Sequence, residues 1–318
     1  MVGFRGTSVR PDDLIVDALR NNRVGAVWLC DYVSPTGEKL GNIASPEQLA
    51  ELIATLKNHA ASPLLVALDA EGGRVIRLKT EYGFLPTQSA AELGATDDLA
   101  VTASAADGIA NTLSNLGVNL NLAPVVDLNR APDNPALGGK RRCFSADPDV
   151  VIRHAAVVIH RLHAVGVACA IKHFPGQGSA RQDAHISVAD ITETWSREEL
   201  KPFAELCSAD LADAVLTGHV FHRGFDAEFP ATLSRRITTD LLRGELGYDG
   251  VVICDDLGMG AIRCQYAFED AIAHAVEAGA DILLHANTGL YHPDIAQRTF
   301  EVLRQLVRSN RIPESRID

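Results

Sequence analysis

Short, almost continuous apolar stretches recur along the chain, and longer stretches with helical periodicity separate them. Eight of the apolar stretches have the length and composition of buried strands. They cover residues 1–4, 24–29, 63–69, 118–128, 167–174, 214–220, 250–256 and 280–286. The first of them is the shortest, with only four residues.

Three of the intervening segments predict helices. Residues 46–59 follow Ser45, a favourable N-cap, and residues 149–165 are apolar around much of the helical circumference. Residues 266–278 place apolar side chains on one face at i, i+4 spacing. Glycines that precede three predicted strands are expected to end helices in the left-handed conformation: Gly117, Gly166 and Gly279.

Alternation of apolar strands with helices predicts a parallel sheet. Eight such units in 318 residues favour an α/β fold of the (β/α)8 TIM barrel type, as a single domain over residues 1–318. A doubly wound open sheet is the structural alternative. No GxGxxG motif follows a predicted strand, which disfavours a dinucleotide-binding version of that alternative.

Composition and charge narrow the classes of function. Hydrophobic residues make up 47% of the chain, enough for a large core, and no apolar run approaches the ~20 residues of a membrane span. The net charge of −12 disfavours a nucleic-acid partner. None of the six cysteines forms a CxxC pair, and the N-terminus carries no apolar signal segment, so a cytoplasmic protein is expected.

Ionisable side chains end six of the predicted strands. In a barrel, the carboxyl ends of the strands form one mouth, where active sites lie. One such residue is usually a cap or an ion-pair partner, but convergence of six strand ends indicates a functional mouth. The strand-end residues are Asp69, Asp127, Lys172, His173, His219, Asp255, Asp256 and His285.

Two features at this mouth could carry chemistry. Asp255 is a candidate carboxylate nucleophile. In the loop after the fifth strand, Asp183 and His185 are two residues apart, so an extended segment would place them on one face. A carboxylate can then orient the imidazole and increase its basicity. Gly176 and Gly178 give this loop conformational freedom.

Four segments carry a resemblance to a known family, and they follow its order at the expected strand ends. They are DAEGGRVIRL (69–78), LAPVVDLN (122–129), KHFPGQGSARQDAH (172–185) and ICDDLGMGAI (253–262). TGHV (217–220) and NPALGGKRRCF (134–144) add support. Together they resemble glycoside hydrolase family 3, in its single-barrel β-N-acetylglucosaminidase branch. KHFPG with a downstream D-x-H is the specific element.

The resemblance implies a retaining exo-β-N-acetylglucosaminidase that needs no cofactor and no metal. Asp255 then matches the nucleophile, His185 the general acid/base, and Asp183 the residue that orients His185. The positions that match the sugar-binding residues are Asp69, Arg77, Arg142, Lys172 and His173. The implied partner is a small carbohydrate, a β-GlcNAc glycoside derived from cell-wall muropeptide fragments.

Two departures from the family pattern fall in the catalytic loop. Gln177 replaces the histidine of PGHG, and Ala184 replaces the serine of DSH, so a sugar-binding pseudoenzyme is one alternative. A phosphorylase that uses phosphate in place of water is a second. A Schiff-base aldolase on Lys172 is a third, although Lys172 could instead neutralise an acid at the mouth. Absence of HExxH disfavours a metal hydrolase. Glu71 and Asp127 are interpreted as supporting residues, and His219 and His285 as packed histidines.

Overall fold

A parallel sheet of seven strands forms the centre of the computed structural model, which describes residues 1–32, 41–181 and 188–317. Neighbours in the sheet follow chain order from one edge to the other, and every pair is parallel. The strands are β1 (Val2–Gly3), β2 (Ala26–Trp28), β3 (Leu65–Leu68), β6 (Leu120–Asn121), β7 (Ala168–Phe174), β9 (Ala214–Thr217) and β11 (Val251–Ile253).

Two small two-stranded sheets decorate the carboxyl ends of the central strands. The first is antiparallel and joins β4 (Ala70–Gly72) to β5 (Val75–Ile76), directly after β3. The second is parallel and joins β8 (Ala189–Asp190) to β10 (Val220–Phe221). Both therefore lie at the edge of the sheet where the sequence predicts the site.

Helices connect successive strands and continue to the end of the described chain. They are α1 (Leu14–Arg20), α2 (Pro46–His59), α3 (Ala90–Thr96), α4 (Leu99–Leu116), α5 (Pro148–Ala164), α6 (Lys201–Ser208), α7 (Gly260–Arg263), α8 (Phe268–Ala278) and α9 (Ile295–Arg308). A π-helix covers Arg236–Glu245. Short 3₁₀ turns cover Thr80–Tyr82, Gly138–Lys140, Arg197–Leu200, Ala231–Leu233 and Glu314–Arg316.

The three predicted helices are confirmed as α2, α5 and α8. Helix α2 has the predicted bounds because the Ser45 side chain accepts from the Gln48 amide and Pro46 occupies the first turn. Helix α8 begins two residues later than predicted. The predicted left-handed glycines are also confirmed, with φ of +83° at Gly117, +76° at Gly166 and +111° at Gly279.

The segment after α8 contacts both edges of the sheet. Ile282 pairs with Ile253 at the β11 edge, and His285 pairs with Val2 at the β1 edge. The Cys254 amide donates to the Ile282 carbonyl, and the Gly3 amide donates to the His285 carbonyl, at 3.0 and 2.8 Å. Because one segment reaches both edges, the sheet is curled. The α/β class is confirmed, whereas residues 280–286 form isolated bridges in place of the predicted eighth regular strand.

The strand predicted over residues 118–128 is much shorter in the structure, which is the main correction to the sequence interpretation. The structure limits it to β6, Leu120–Asn121. Pro124 lacks an amide donor and so cannot continue the ladder toward β7. Beyond it, Val125 makes one isolated bridge to Lys172. The chain therefore leaves the regular sheet before it reaches Asp127.

Two layers of apolar side chains hold the sheet. The larger cluster packs the outer face of the strands against the helices, with Val66, Leu68, Ile171 and Val215 among its members. A smaller cluster fills the inner face at alternating strand positions: Trp28, Ala67, Leu120, Ala170, Leu216 and Ile253. Among the described residues, no helix combines the length and apolar character that crossing a bilayer requires.

Candidate active site

Asp69 lies at the centre of the carboxyl-end edge, immediately after β3. Its Oδ1 accepts from Lys172 Nζ of β7 at 2.7 Å, and its Oδ2 accepts from Arg77 Nη2 at 3.2 Å. The Trp28 indole of β2 also donates to Oδ2, at 3.2 Å. Burial alone would raise the pKa of Asp69, but Lys172 and then Arg77 outweigh it and hold the pKa well below its usual range.

Glu71 binds two cations that come from distant parts of the chain. The Arg142 guanidinium donates to both carboxylate oxygens of Glu71 at 2.7 Å, a bidentate pair. Lys172 Nζ lies 2.7 Å from Glu71 Oε1. Burial opposes ionisation of Glu71, yet Arg142 and Lys172 lower its pKa to about 2. Sequence reasoning placed this residue among supporting groups, whereas it joins two predicted site residues.

The neighbouring Arg141 has a different environment from Arg142. Arg141 is exposed, has a left-handed backbone conformation and pairs with Glu92. Arg142 is 9% exposed and also donates to the Ala136 carbonyl at 2.9 Å. Of these two adjacent arginines, the structure therefore brings Arg142 into the site.

His173 is held by a carboxylate on one side and a guanidinium on the other. Its Nδ1 lies 2.7 Å from Asp127 Oδ2, and its Nε2 lies 3.3 Å from Arg142 Nη2. Because a guanidinium can only donate, Nε2 is the acceptor and Nδ1 carries the proton. The peptide bond between Lys172 and His173 is cis. Asp127, fully buried, thus orients a predicted site residue.

These groups form one continuous hydrogen-bonded chain of alternating charge. In order, it runs through Arg77, Asp69, Lys172, Glu71, Arg142, His173 and Asp127. Its three basic side chains match its three carboxyl groups in number. All five predicted sugar-binding residues belong to it, and they come from three separate segments of the chain.

Aromatic rings border the cluster where it meets solvent. The Arg77 guanidinium lies over the rings of Trp28 and Tyr32, 5.6 and 5.2 Å from their centroids. Tyr32 is half-buried and also lies beneath the Lys79 ammonium. Cation–π contacts of this kind fix the direction of Arg77 toward Asp69. Trp28 is the penultimate residue of the strand predicted over residues 24–29, so its position near the rim could have been anticipated from the sequence.

Asp255 and Asp256 follow β11 at the same edge but have different environments. Asp256 Oδ1 accepts from the amides of Gly258 and Ala286 at 2.9 Å, and burial raises the pKa of this carboxyl. Asp255 is half-buried, and its Oδ1 accepts from the Asp256 amide at 2.8 Å. Among the described residues, no group donates to Asp255 Oδ2.

Asp255 lies at the same edge of the sheet as the charged cluster. Strand β9 pairs with β7, which carries Lys172, and with β11, which precedes Asp255. Since the three strands are parallel, their carboxyl ends share one rim. The predicted acid/base pair, Asp183 and His185, lies outside the described residues.

Gln177, the first departure from the family pattern, is buried and acts through its main chain. Its amide donates to Asp127 Oδ1 at 2.8 Å, and its carbonyl accepts from Asn134 Nδ2 at 3.2 Å. Both bonds are independent of the side chain, so exchange of histidine for glutamine preserves them. The same loop is supported by Glu199, whose Oε2 accepts from the Gly178 amide at 3.1 Å. Burial raises the pKa of Glu199 to about 7.

The two remaining strand-end histidines are internal. His219 is fully buried and lies 3.0 Å from Thr232 Oγ1 and 2.9 Å from the Asp256 carbonyl. His285 lies 3.1 Å from Thr299 Oγ1, and burial lowers its pKa to about 3. These contacts hold both rings inside the fold, as the sequence interpretation of packed histidines expects.

The comparison with protein families gives a match over almost the whole chain. The model of the glycosyl hydrolase family 3 N-terminal domain matches residues 2–318. This chain belongs to glycosyl hydrolase family 3. The family predicted from the four sequence segments is therefore confirmed, and with it the expectation of an enzyme of the glycoside hydrolase class.

Several known proteins resemble the chain in sequence and in fold. The β-hexosaminidase of Xylella fastidiosa strain 9a5c is 36% identical over 302 residues, which cover 93% of this chain and 84% of the relative. That of Stenotrophomonas maltophilia strain R551-3 is 36% identical over 311 residues, covering 96% and 86%. The family 3 β-N-acetylglucosaminidase of Paenibacillus sp. FPU-7 superposes with a TM-score of 0.90 at 35% identity. This chain is covered completely but spans only 58% of that structure.

Proposed function

We propose that this family 3 chain is a retaining exo-β-N-acetylglucosaminidase, with Asp255 as nucleophile and His185 as general acid/base. The observation that carries the proposal is that the charged cluster around Asp69 and Lys172 lies at the same carboxyl-end rim of the parallel sheet as Asp255. The β-hexosaminidase relatives and the Paenibacillus β-N-acetylglucosaminidase support the choice of sugar. The whole chain, residues 1–318, acts as one catalytic domain in this proposal.

The reaction proceeds in two displacements. Asp255 Oδ2 attacks the anomeric carbon while His185 donates a proton to the departing glycosidic oxygen, which gives a glycosyl-aspartate ester. His185 then accepts a proton from water, whose oxygen attacks the same carbon and releases Asp255. Two inversions restore the β configuration. Asp183 orients the imidazole and stabilises the protonated form, which is present before the first displacement and is restored by the second.

The side chains of the charged cluster are already held in place before the sugar binds, so they do not have to rearrange. Asp69 is already held by Lys172, Arg77 and Trp28, and its remaining lone pairs accept from sugar hydroxyls. Lys172 and His173 provide the polar groups nearest to the ring, and Arg142 recognises the N-acetyl group. Because these groups are fixed before the substrate arrives, little free energy is lost on ordering them.

We further propose that residues 280–286 occupy the eighth strand position of a (β/α)8 barrel. Its support is the pair of bridges that it makes to Ile253 and Val2, at opposite edges of the sheet. In this arrangement the rim that carries Asp69, Lys172 and Asp255 is a closed ring of strand ends, which surrounds a single sugar.

The physiological substrate remains the one that the resemblance implies, a fragment of cell-wall glycan with a terminal β-GlcNAc. The cytoplasmic location stays a prediction. Its support is cysteine usage, since all six cysteines are free thiols.

The aldolase alternative is disfavoured by the surroundings of Lys172. Its ammonium bonds Asp69 and Glu71, both at 2.7 Å, and both contacts would have to break before the amine could attack a carbonyl. Borohydride trapping with a carbonyl substrate should therefore leave Lys172 unmodified. A Lys172 adduct would favour the aldolase.

The decisive assay is release of p-nitrophenol from its β-GlcNAc glycoside, with the product followed by proton NMR. The proposal predicts turnover, β-GlcNAc as the first-formed sugar, and little turnover of the β-glucoside. An α product would exclude retention. A glycosyl phosphate formed only in phosphate buffer would identify a phosphorylase, and sugar binding without turnover would identify a pseudoenzyme.

A further inference from the structure

Three side chains with metal-binding donors meet at the end of the sheet opposite the candidate active site. His163 lies in the last turn of α5, Cys169 is the second residue of β7, and Asp213 immediately precedes β9. His163 nitrogen, Cys169 Sγ and an Asp213 carboxylate oxygen all lie within 4.8 Å of one another. Within the described residues, this is the one group of three or more His, Cys, Asp or Glu side chains whose ligand atoms lie close enough together to bind one metal ion.

The contacts within the cluster fix the donors on three different elements. His163 Nε2 lies 2.7 Å from Asp213 Oδ2, and the Cys169 amide donates to the same oxygen at 2.8 Å. The Cys169 thiol donates weakly to the Leu211 carbonyl, at 3.5 Å. The thiol also interacts with the Asp213 carboxylate. Imidazole, thiol and carboxylate are therefore held together in one small group.

The cluster is open to solvent on one side and closed on the other. The side chains of His163 and Asp213 are 33% and 41% exposed, whereas Cys169 is fully buried. An ion from solution can thus reach the imidazole and carboxylate first, and then the thiol beneath them. Rigid elements on three sides favour one coordination geometry.

We propose that His163, Cys169 and Asp213 form a zinc site that ties α5, β7 and β9 together. Zn²⁺ binds imidazole nitrogen, thiolate sulfur and carboxylate oxygen in tetrahedral sites, with water able to take the fourth position. Magnesium and calcium prefer oxygen ligands alone and do not suit this donor set.

Binding has a defined proton balance. The Cys169 thiol releases its proton to solvent and binds as the thiolate, and His163 binds through Nε2 with its proton on Nδ1. The present hydrogen bond between His163 and Asp213 is replaced by one bond from each residue to the ion. Burial raises the pKa of the Cys169 thiol well above its usual value, and the cation supplies the charge that offsets this.

This site is separate from the proposed chemistry. Cys169 precedes Lys172 by three residues of the same strand, a separation of about 10 Å. Zinc here stabilises the fold and takes no part in sugar cleavage, so the expectation of metal-free chemistry at Asp255 is unchanged.

Cobalt(II) titration of the whole chain tests the proposal. Wild-type protein should bind one Co²⁺ with a thiolate-to-cobalt charge-transfer band in the near ultraviolet and tetrahedral bands in the visible, both displaced by Zn²⁺. Cys169→Ser should lose the charge-transfer band, and His163→Gln and Asp213→Asn should each weaken binding at least ~10-fold. Cys264→Ser, which removes an exposed thiol outside the cluster, should behave as wild type.

Two results of the cobalt titration would contradict the proposal. Absence of a thiolate band in wild-type protein, or its retention in Cys169→Ser, would overturn it. Cobalt bound at the candidate active site would show no thiolate band and would inhibit hydrolysis. If Cys169→Ser does not fold, His163→Gln, whose side chain is partly exposed, carries the test. Zn²⁺ must then raise the melting temperature of wild type but not that of His163→Gln.

Discussion

The Lys172 ammonium lies 2.7 Å from Asp69 Oδ1, although 103 residues separate the two along the chain. The parallel sheet produces this contact, because β3 and β7 end at one rim with β6 between them. The same ammonium bonds Glu71, which in turn binds Arg142. Tertiary structure thus brings residues that are far apart in sequence into one polar cluster at the rim that also carries Asp255.

Replacement of Asp255 should abolish catalysis without loss of the fold. Asp255→Ala removes the oxygen that forms the covalent intermediate, so kcat for a β-GlcNAc glycoside should fall at least ~10³-fold. Asp256→Asn is the matched control, because it retains the Oδ1 acceptor for the Gly258 and Ala286 amides and should keep most of the activity. Steady-state kinetics and circular dichroism check both. Equal loss in the two variants would contradict the assignment.

Replacement of His185 should affect substrates according to their leaving groups. A good leaving group departs without a proton, so His185→Ala should slow cleavage of a disaccharide much more than release of dinitrophenol. The ratio of kcat/KM for the two substrates, compared with wild type, measures this. An equal decrease with both would show that His185 does not protonate the leaving oxygen.

Loss of either partner of the Glu71–Arg142 pair should destabilise the fold, because the remaining charged side chain is then buried without its partner. Arg142→Met leaves Glu71 buried without its bidentate partner and should reduce the free energy of unfolding by about 3–5 kcal/mol. Glu71→Gln should also destabilise, but the double variant should lose less than the sum, with a coupling energy of about 1–3 kcal/mol. Urea denaturation of the four proteins tests this. Additive losses would show that the pair is not energetically coupled.

Glu199 should make the folded state less stable as pH rises through the weakly acidic range. Burial raises its pKa from the ordinary 4.5 to about 7, with Asp127 adding to the shift. Between these values the folded state holds a proton that the unfolded state has lost, so stability falls with increasing pH. The contribution of protonated Glu199 to the free energy of unfolding is therefore complete below about pH 4.5 and lost by about pH 7.

Glu199→Gln removes this titration and should flatten the pH dependence. Urea denaturation at about pH 5 and about pH 8 checks it, because the difference in unfolding free energy between the two pH values should be smaller in the variant. An unchanged difference would show that Glu199 titrates near its ordinary value in the folded protein.

Local signals predicted the helices and strands most accurately. Helix α2 has its predicted bounds because Ser45 and Pro46 specify its first turn within the sequence itself. The strand predicted over 118–128 was too long, because its apolar composition outweighed the missing donor of Pro124 in that interpretation. The segment 280–286 was predicted as a strand from its composition, but only two of its residues form bridges.

The sequence indicated which residues are candidates for the site, but it did not indicate which of them contact one another. Motifs and strand ends indicated the candidate residues, and the structure brings the five predicted sugar-binding positions into one cluster. The importance of Glu71 and Asp127 was underestimated, since their partners lie 71 and 46 residues away. No spacing rule connects residues that far apart, and only the sheet order shows that they meet. The His163–Cys169–Asp213 cluster was missed for the same reason.

Trapping the covalent intermediate tests the central claim most directly. A fluorinated β-GlcNAc glycoside with an activated leaving group should form a glycosyl-enzyme that breaks down slowly, and peptide mass spectrometry should find the sugar on Asp255 alone. Asp256→Asn should be labelled like wild type, and Asp255→Ala should remain unlabelled. Label on another residue, or stoichiometric labelling of Asp255→Ala, would contradict the account.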